Sequence, residues 1–209
     1  MNEISASIGK LLALSMLKGI GPATLRKMAG RADFESVSME RLAMDFPSNS
    51  HVLKDDFAWS RALLAADEQV SKAEKLGVSI LSAVDPGYPP LLAATKDDPF
   101  IIWVLGKLHS DPKKSVAVIG TREPTAHGTI IAKRISCYFV DQGWSIVSGL
   151  ALGCDAIAHQ EAVDAGGHTV AVLAHGLHTV SPSRHRKLAE DIIQSGGALV
   201  SEYPLGHEV

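Results

Sequence analysis

The sequence predicts an α/β protein, an open and mostly parallel doubly wound sheet preceded by a small all-helical domain. Three observations carry that expectation. Up to about residue 75 the apolar residues recur at helical spacing, and no strand pattern precedes Val78. From Val78 onward short β-branched runs alternate with helical stretches, repeating roughly every 25 to 30 residues, the length of a βαβ unit. Those runs are apolar throughout rather than alternating, the pattern of strands covered by helices on both faces.

The elements follow in order. Ile8, Leu11, Leu12, Leu14, Met16 and Leu17 form a first helical stripe, Lys18-Gly19-Ile20-Gly21-Pro22 a turn, and Ala23 to Met28 a second helix. Further helices are expected over Met39–Met44 and Phe57–Leu76, with a loop at Pro47-Ser48-Asn49-Ser50 between them. Val78–Leu81 reads as a strand, Asp85–Pro90 is dense in turn residues, and Phe100–Leu105 is an apolar run closed by Gly106. Strands are then expected at Ser115–Ile119, Ser145–Ser148, Thr169–Leu173 and Ala198–Val200. The helices between them run from Thr125 to Val140, Ala156 to Asp164 and Ser183 to Gln194. Asp155 is placed to cap the second of these helices, and Ser181-Pro182 to cap the third. Gly143, Gly166-Gly167 and Gly196-Gly197 stand just past helix ends, where a left-handed residue is needed. Two domains result: residues 1–77, helical with a helix-hairpin-helix or SAM-like turn, and residues 78–209, the α/β part.

Composition narrows the classes. The 209 residues carry 20 Lys+Arg against 23 Asp+Glu, a net charge of −3, with 46% hydrophobic residues. That balance excludes intrinsic disorder and gives no global sign of a polyanionic partner. Two cysteines without a C-x-x-C pair exclude a disulfide framework, and the apolar stretch Ile8–Leu17, broken by Lys10, is too short for a membrane span. The expected compartment is the cytoplasm, without membrane contact.

In an open α/β sheet, ligands bind beyond the carboxyl ends of the strands, so the βα loops are where function is sought. The first reads Gly120-Thr121-Arg122, the second Ser148-Gly149-Leu150-Ala151-Leu152-Gly153-Cys154-Asp155, and the third Ala174-His175-Gly176. Glycines and small residues before helix N-termini favour an anion, and Arg122 offers a guanidinium that can fork to a phosphate or pair with a neighbouring carboxylate. Asp155 and His159, four apart on one helical face, suit a metal site, an acid–base pair or a capped helix with a packed histidine, the plainer alternative. His175 and His178 lack a Cys or carboxylate partner at zinc spacing, so no metal is expected. Glu202 stands at a strand end without a paired acid or nucleophile. G-x-G-x-x-G, P-loop and G-x-S-x-G patterns are absent, which favours a binding site over a reaction centre and leaves no cofactor expected. Through residue 31, five Lys or Arg face Glu3 alone. There Lys18, Gly19, Gly21, Arg26 and Lys27 surround a hairpin able to meet a nucleic-acid phosphate. Arg184-His185-Arg186-Lys187 forms a second basic run at the start of the last helix, either a solvated face or a rim of the cleft.

Together these motifs resemble the DNA-processing protein A family, known as DprA or Smf. The resemblance rests on Tyr88-Pro89-Pro90-Leu91-Leu92, Val116-Ala117-Val118-Ile119-Gly120-Thr121-Arg122, Ser148-Gly149-Leu150-Ala151 with Gly153, Asp155, Ala158 and His159, Gly167-His168-Thr169-Val170-Ala171-Val172-Leu173 with Gly176, and Gly196-Gly197-Ala198-Leu199-Val200-Ser201-Glu202-Tyr203-Pro204. It implies a Rossmann-like domain behind the helical one. It also implies a single-stranded-DNA-binding recombination mediator, not an enzyme, that forms a homodimer and delivers DNA to a RecA-type recombinase in natural transformation. Arg122 and Ser148 to Ala151 would line the DNA pocket. The phosphate-binding set implied is then Gly120, Thr121, Arg122, Ser148, Gly149, Leu150, Ala151, Gly153, Asp155, His159, His168 and Gly176. His168 stands where the family often has a lysine, Ser181-Pro182 where it has Tyr-Pro, and the chain stops before the family's usual continuation, so it is expected to be short at the C-terminus. The rival reading is a nucleotide-binding sensor or nucleotide hydrolase on a related scaffold, with Glu202 and Asp155 near a phosphate-cradling loop.

Overall fold

The computed structural model describes residues 6–109 and 114–208, so Glu3 of the basic N-terminal count lies outside it. Cα packing divides the chain into two compact units, one of Met1–Tyr88 with Leu92–Ile102 and one of Pro89–Leu91 with Trp103–Val209. Six strands among the described residues form one sheet.

In the first unit, α1 (Ala6–Ser15), α2 (Pro22–Ala29), α3 (Met39–Asp45), α4 (Ser50–Leu53) and α5 (Asp56–Leu76) precede β1 (Val78–Ser82). The apolar stripe of α1 is what the spacing required: Ile8, Leu11, Leu12 and Leu14 are buried, and the helix packs on α5. α5 is long because both ends are closed. Asp55 accepts the Ala58 N–H (2.9 Å) at one end, and Gly77 takes a left-handed φ of +68° at the other. Ala62, Ala66 and Ala73 form its buried stripe, small enough for close helix packing. The loop after α2 is tied by Lys10, whose ammonium donates to Phe34 O and Val37 O at 2.7 Å each. Burial pushes that ammonium down from its ordinary pKa.

After a short α6 (Pro90–Ala93), the second unit holds most of β2 (Ile101–Gly106) and then β3 (Ser115–Ala117), α7 (Ala126–Asp141), β4 (Ser145–Ser148), α8 (Cys154–Asp164), β5 (Thr169–Leu173), α9 (Arg186–Gln194) and β6 (Ala198–Ser201). β3, β4, β5 and β6 are parallel neighbours, while β2 runs antiparallel to β6 with Trp103 opposite Ser201. The sheet is therefore mixed.

One expectation is corrected here. A doubly wound sheet needs a reversal of strand order, and the described parallel strands step in one direction only, β3 to β4 to β5 to β6. Right-handed crossovers repeated in one direction place their helices on one face. Accordingly α8 packs against both α7 and α9. Val118, Ile146, Ala158 and Ala162, with Val116, Phe139 and Val140, form the core under these helices. On the opposite face Ala117 is exposed, Val147 only half-buried, and Val172 is 49% exposed. The apolar runs did signal strands, but helices of the parallel block cover them from one side.

Two helix starts also differ. Gly153, not Asp155, is the N-cap of α8, and Asp155 lies in its first turn. The last helix begins at Arg186 after a single 3-10 turn over Ser183–His185, so Ser181-Pro182 precedes that turn rather than capping α9. No helix among the described residues is long and apolar enough to cross a membrane.

Candidate nucleic-acid interface

The carboxyl ends of β3 and β4 carry two loops in direct contact. The Cys154 N–H at the start of α8 donates to Thr121 O (3.1 Å), and the Ser148 hydroxyl donates to Val118 O (2.6 Å). Gly153, at φ +76°, makes this approach possible. A Cβ there would sit 2.3 Å from Thr121 O and 2.5 Å from Arg122 O. Gly120 answers it from the other loop, where a Cβ would come within 2.6 Å of Cys154 Sγ. Both glycines thus serve loop-on-loop packing.

Within the β4–α8 turn, polar groups are largely spent on the turn itself. Gly149 N–H donates to the buried Asp155 carboxylate (3.0 Å), which also sits favourably at the positive end of α8. Leu150 holds a left-handed φ of +57° although it carries a side chain, which is fully buried; its carbonyl accepts from His185 Nδ1 (2.7 Å). Ala151 is half-buried. What remains outward is Arg122. It is exposed, with Gly120 and Thr121, and among the described residues no carboxylate stands within ion-pair distance of it. The local pairing with Glu123 that the sequence left open is not formed.

His159 lies beneath the turn, fully buried. Thr169 Oγ1 donates to Ile146 O (2.8 Å) and so accepts from His159 Nδ1 (2.7 Å), which leaves Nε2 as a buried lone pair without a hydrogen-bond partner. Burial first, and His185 second, push this imidazole down to about 4, while the Ser148 backbone acts in the opposite sense. At neutral pH it is an uncharged core histidine, out of reach of a surface phosphate.

His168 and Gly176 are placed apart from the loop cluster. His168 precedes β5 and therefore stands at the amino edge of the parallel strands, opposite the edge that holds Arg122. Its Nδ1 meets Ser145 Oγ (2.7 Å), its Nε2 donates to Lys107 O (2.9 Å), and burial lowers its pKa. Gly176 follows β5 but is buried: its N–H donates to His207 O (2.9 Å), and a Cβ would meet Pro204 O at 2.3 Å. His175 accepts from Ser181 N–H (3.3 Å) through Nε2. Among the described residues no group of three His, Cys, Asp or Glu converges as a metal site.

In the first unit, Lys18, Gly19, Gly21 and Lys27 are exposed around the α1–α2 turn, with Gly19 O accepting from Asn49 Nδ2 (2.9 Å). Arg26 is not available there, because it is ion-paired with the buried Asp98 carboxylate beside the Phe100 ring. In the second unit Arg184 and Arg186 are exposed, and Lys187 pairs with Asp191 (2.5 Å), which raises its pKa. Sequence reasoning missed His185. It read only as one member of a basic run, and nothing local to it announces a bond to Leu150, 35 residues earlier.

The chain's relatives agree with these motifs. Residues 79–209 match the family described as DNA recombination-mediator protein A. Protein Smf of Synechocystis is 34% identical over 202 residues, covering 93% of this chain and 50% of that protein. Protein Smf of Escherichia coli is 42% identical over 118 residues, 56% of this chain and 32% of its own length. The chain thus spans half or less of these curated relatives. Among solved structures, DNA processing protein A from Streptococcus pneumoniae superposes with a TM-score of 0.70 at 22% identity, over 96% of this chain and 69% of that one, a likeness of fold. DNA processing protein A from Helicobacter pylori, described for its single-stranded DNA binding mode, matches 63% of this chain and 58% of its own with a TM-score of 0.50 and 28% identity. The chain belongs to the DNA recombination-mediator protein A family.

Proposed function

We propose that this chain binds single-stranded DNA at the carboxyl edge of its parallel strands and acts in DNA processing during natural transformation, as a mediator rather than an enzyme. The observation that carries the reading is Arg122, an exposed guanidinium, unpaired among the described residues, on a loop pinned to the start of α8. Such a group can fork to a phosphodiester, and the first turn of α8 adds positive potential beside it. The family and the Helicobacter relative, with its single-stranded DNA binding mode, support the choice of ligand. On this reading Gly120, Thr121 and the Ser148–Gly153 turn shape the pocket, with Ser148, Gly149, Asp155 and His159 holding that turn from inside. The helical residues 1–77, through Lys18, Gly19, Gly21 and Lys27, and the basic residues Arg184, Arg186 and Lys187 are secondary contacts. A RecA-type recombinase and a second copy of the chain are the protein partners, and the α/β part, residues 78–209, works in the cytoplasm.

The test is fluorescence anisotropy of labelled oligo-dT at two salt concentrations, with mononucleotides as competitors. Arg122→Ala is expected to weaken binding about tenfold and to lower the salt slope by about one. Saturable mononucleotide binding without oligomer binding would overturn the proposal in favour of a nucleotide sensor or hydrolase.

A further inference from the structure

The helical face of the second unit holds a groove of about 400 Å³ among α7, α8 and the segment leading into α9. That volume falls within the range of small-ligand sites, about 300–1,000 Å³. Its floor is apolar, made by Ala156, Ile157 and Leu188, and its rim is charged and mixed. Lys133 is held by Glu161 and Lys187 by Asp191, both at 2.5 Å, so those four charges cancel in pairs. Arg184 is exposed, and among the described residues it has no carboxylate partner. The groove therefore carries one uncompensated positive charge. Gln160 spends its amide N–H on Asp164 (2.8 Å), which leaves a carbonyl acceptor on the rim.

An apolar floor, hydrogen-bonding groups of both kinds and a single unpaired guanidinium are complementary to one nucleotide: a flat base with a polar edge, and one phosphate. The groove also adjoins the β4–α8 turn, which itself touches the Arg122 loop. Ala156 lies in the first turn of α8, whose Gly153 touches the Thr121 and Arg122 carbonyls, and His185 lines the groove while donating to Leu150 O. We infer that this groove is a second nucleotide subsite, where the strand leaving Arg122 lays one base over Ala156, Ile157 and Leu188 and sets its phosphate on Arg184. The inference rests on the proposed single-stranded DNA binding and extends it to a second point of contact along the strand.

The experiment measures anisotropy for an oligo-dT ladder, from the shortest length bound to long oligomers, with wild-type chain, Arg184→Ala, Arg184→Glu and Arg184→Lys. Arg184 is a surface residue without a partner among the described residues, so the variants are expected to keep the fold, and a melting curve checks this. Arg184→Ala is expected to weaken long oligomers about fivefold to tenfold and to leave the shortest unchanged. Arg184→Glu weakens them further, and Arg184→Lys restores most of the loss. Long oligomers bound equally by wild type, Arg184→Ala and Arg184→Glu would overturn the subsite, as would an equal loss at every length, which makes Arg184 part of the first site. No oligomer binding by the wild type would instead overturn the single-stranded DNA reading itself.

Discussion

Arg122 and His159 belong to one corner of the molecule and have opposite characters. Among the described residues the guanidinium stands in solvent without a partner, whereas the imidazole is buried with a bare Nε2. His159 gives the protein a pH dependence whose sign is fixed. Its folded pKa, about 4, lies below the ordinary histidine value, so the unfolded chain takes up the proton first as pH falls. Stability is unaffected above about pH 6.5 and declines from there towards pH 4, on the order of 1 kcal/mol per pH unit. Thermal melts from pH 7.5 to 4.5 should show this fall, and it should flatten in His159→Gln; an unchanged slope in that variant would assign the effect elsewhere. The sequence puts Arg122 on a βα loop, and the structure has it exposed there. The sequence could not tell lining from support, because a motif names residues without saying which way they point. Ser148 and His159 share the motif with the turn but face inward. His168 is instructive in another way. Its position before β5 already assigns it to the amino edge of a parallel sheet, and the family pattern obscured that inference.

The β4–α8 turn concentrates the local strain. Leu150 is left-handed without being glycine, and Gly153 combines φ +76° with two carbonyls where a Cβ would stand. Gly153→Ala therefore has no relaxed solution: it must push the Arg122 loop away or distort the start of α8. We expect a loss on the order of 1–3 kcal/mol and a melting temperature lower by about 5 °C. Oligomer affinity should fall as well, because the Arg122 loop loses its support. A melt equal to wild type would show that the two loops are not in contact. Elements of this size were largely legible. The stripe of α1, the long α5 and the strands at 145–148 and 169–173 sit where apolar spacing put them, since burial dictates that spacing. The helix starts were less legible. Asp155 has the chemistry of a cap, yet tertiary contact assigns its carboxylate to Gly149 and leaves the cap to a glycine.

For the molecule as a whole, the order of the parallel strands was the feature the sequence did not reveal. Apolar runs show that a strand is buried but not which neighbour or which face buries it, and both faces read alike. The consequence is visible at Val172, 49% exposed, and at Ile119, 77% exposed beyond the end of the edge strand β3. An uncovered apolar surface beside an edge strand, paired on one side only, favours self-association. Sedimentation velocity should show association that rises with concentration, and Ile119→Lys with Val172→Lys should shift the chain towards monomer; identical profiles would acquit this surface. The sheet topology also prescribes an order of assembly. β3, β4 and β5 each pair with the strand next in sequence, so the parallel block can grow one crossover at a time. The antiparallel match of Trp103 with Ser201 closes a loop around that entire block, and its entropic cost is smallest once the block has already drawn the two ends together. β2 is thus expected to pair with β6 only after the parallel block has formed.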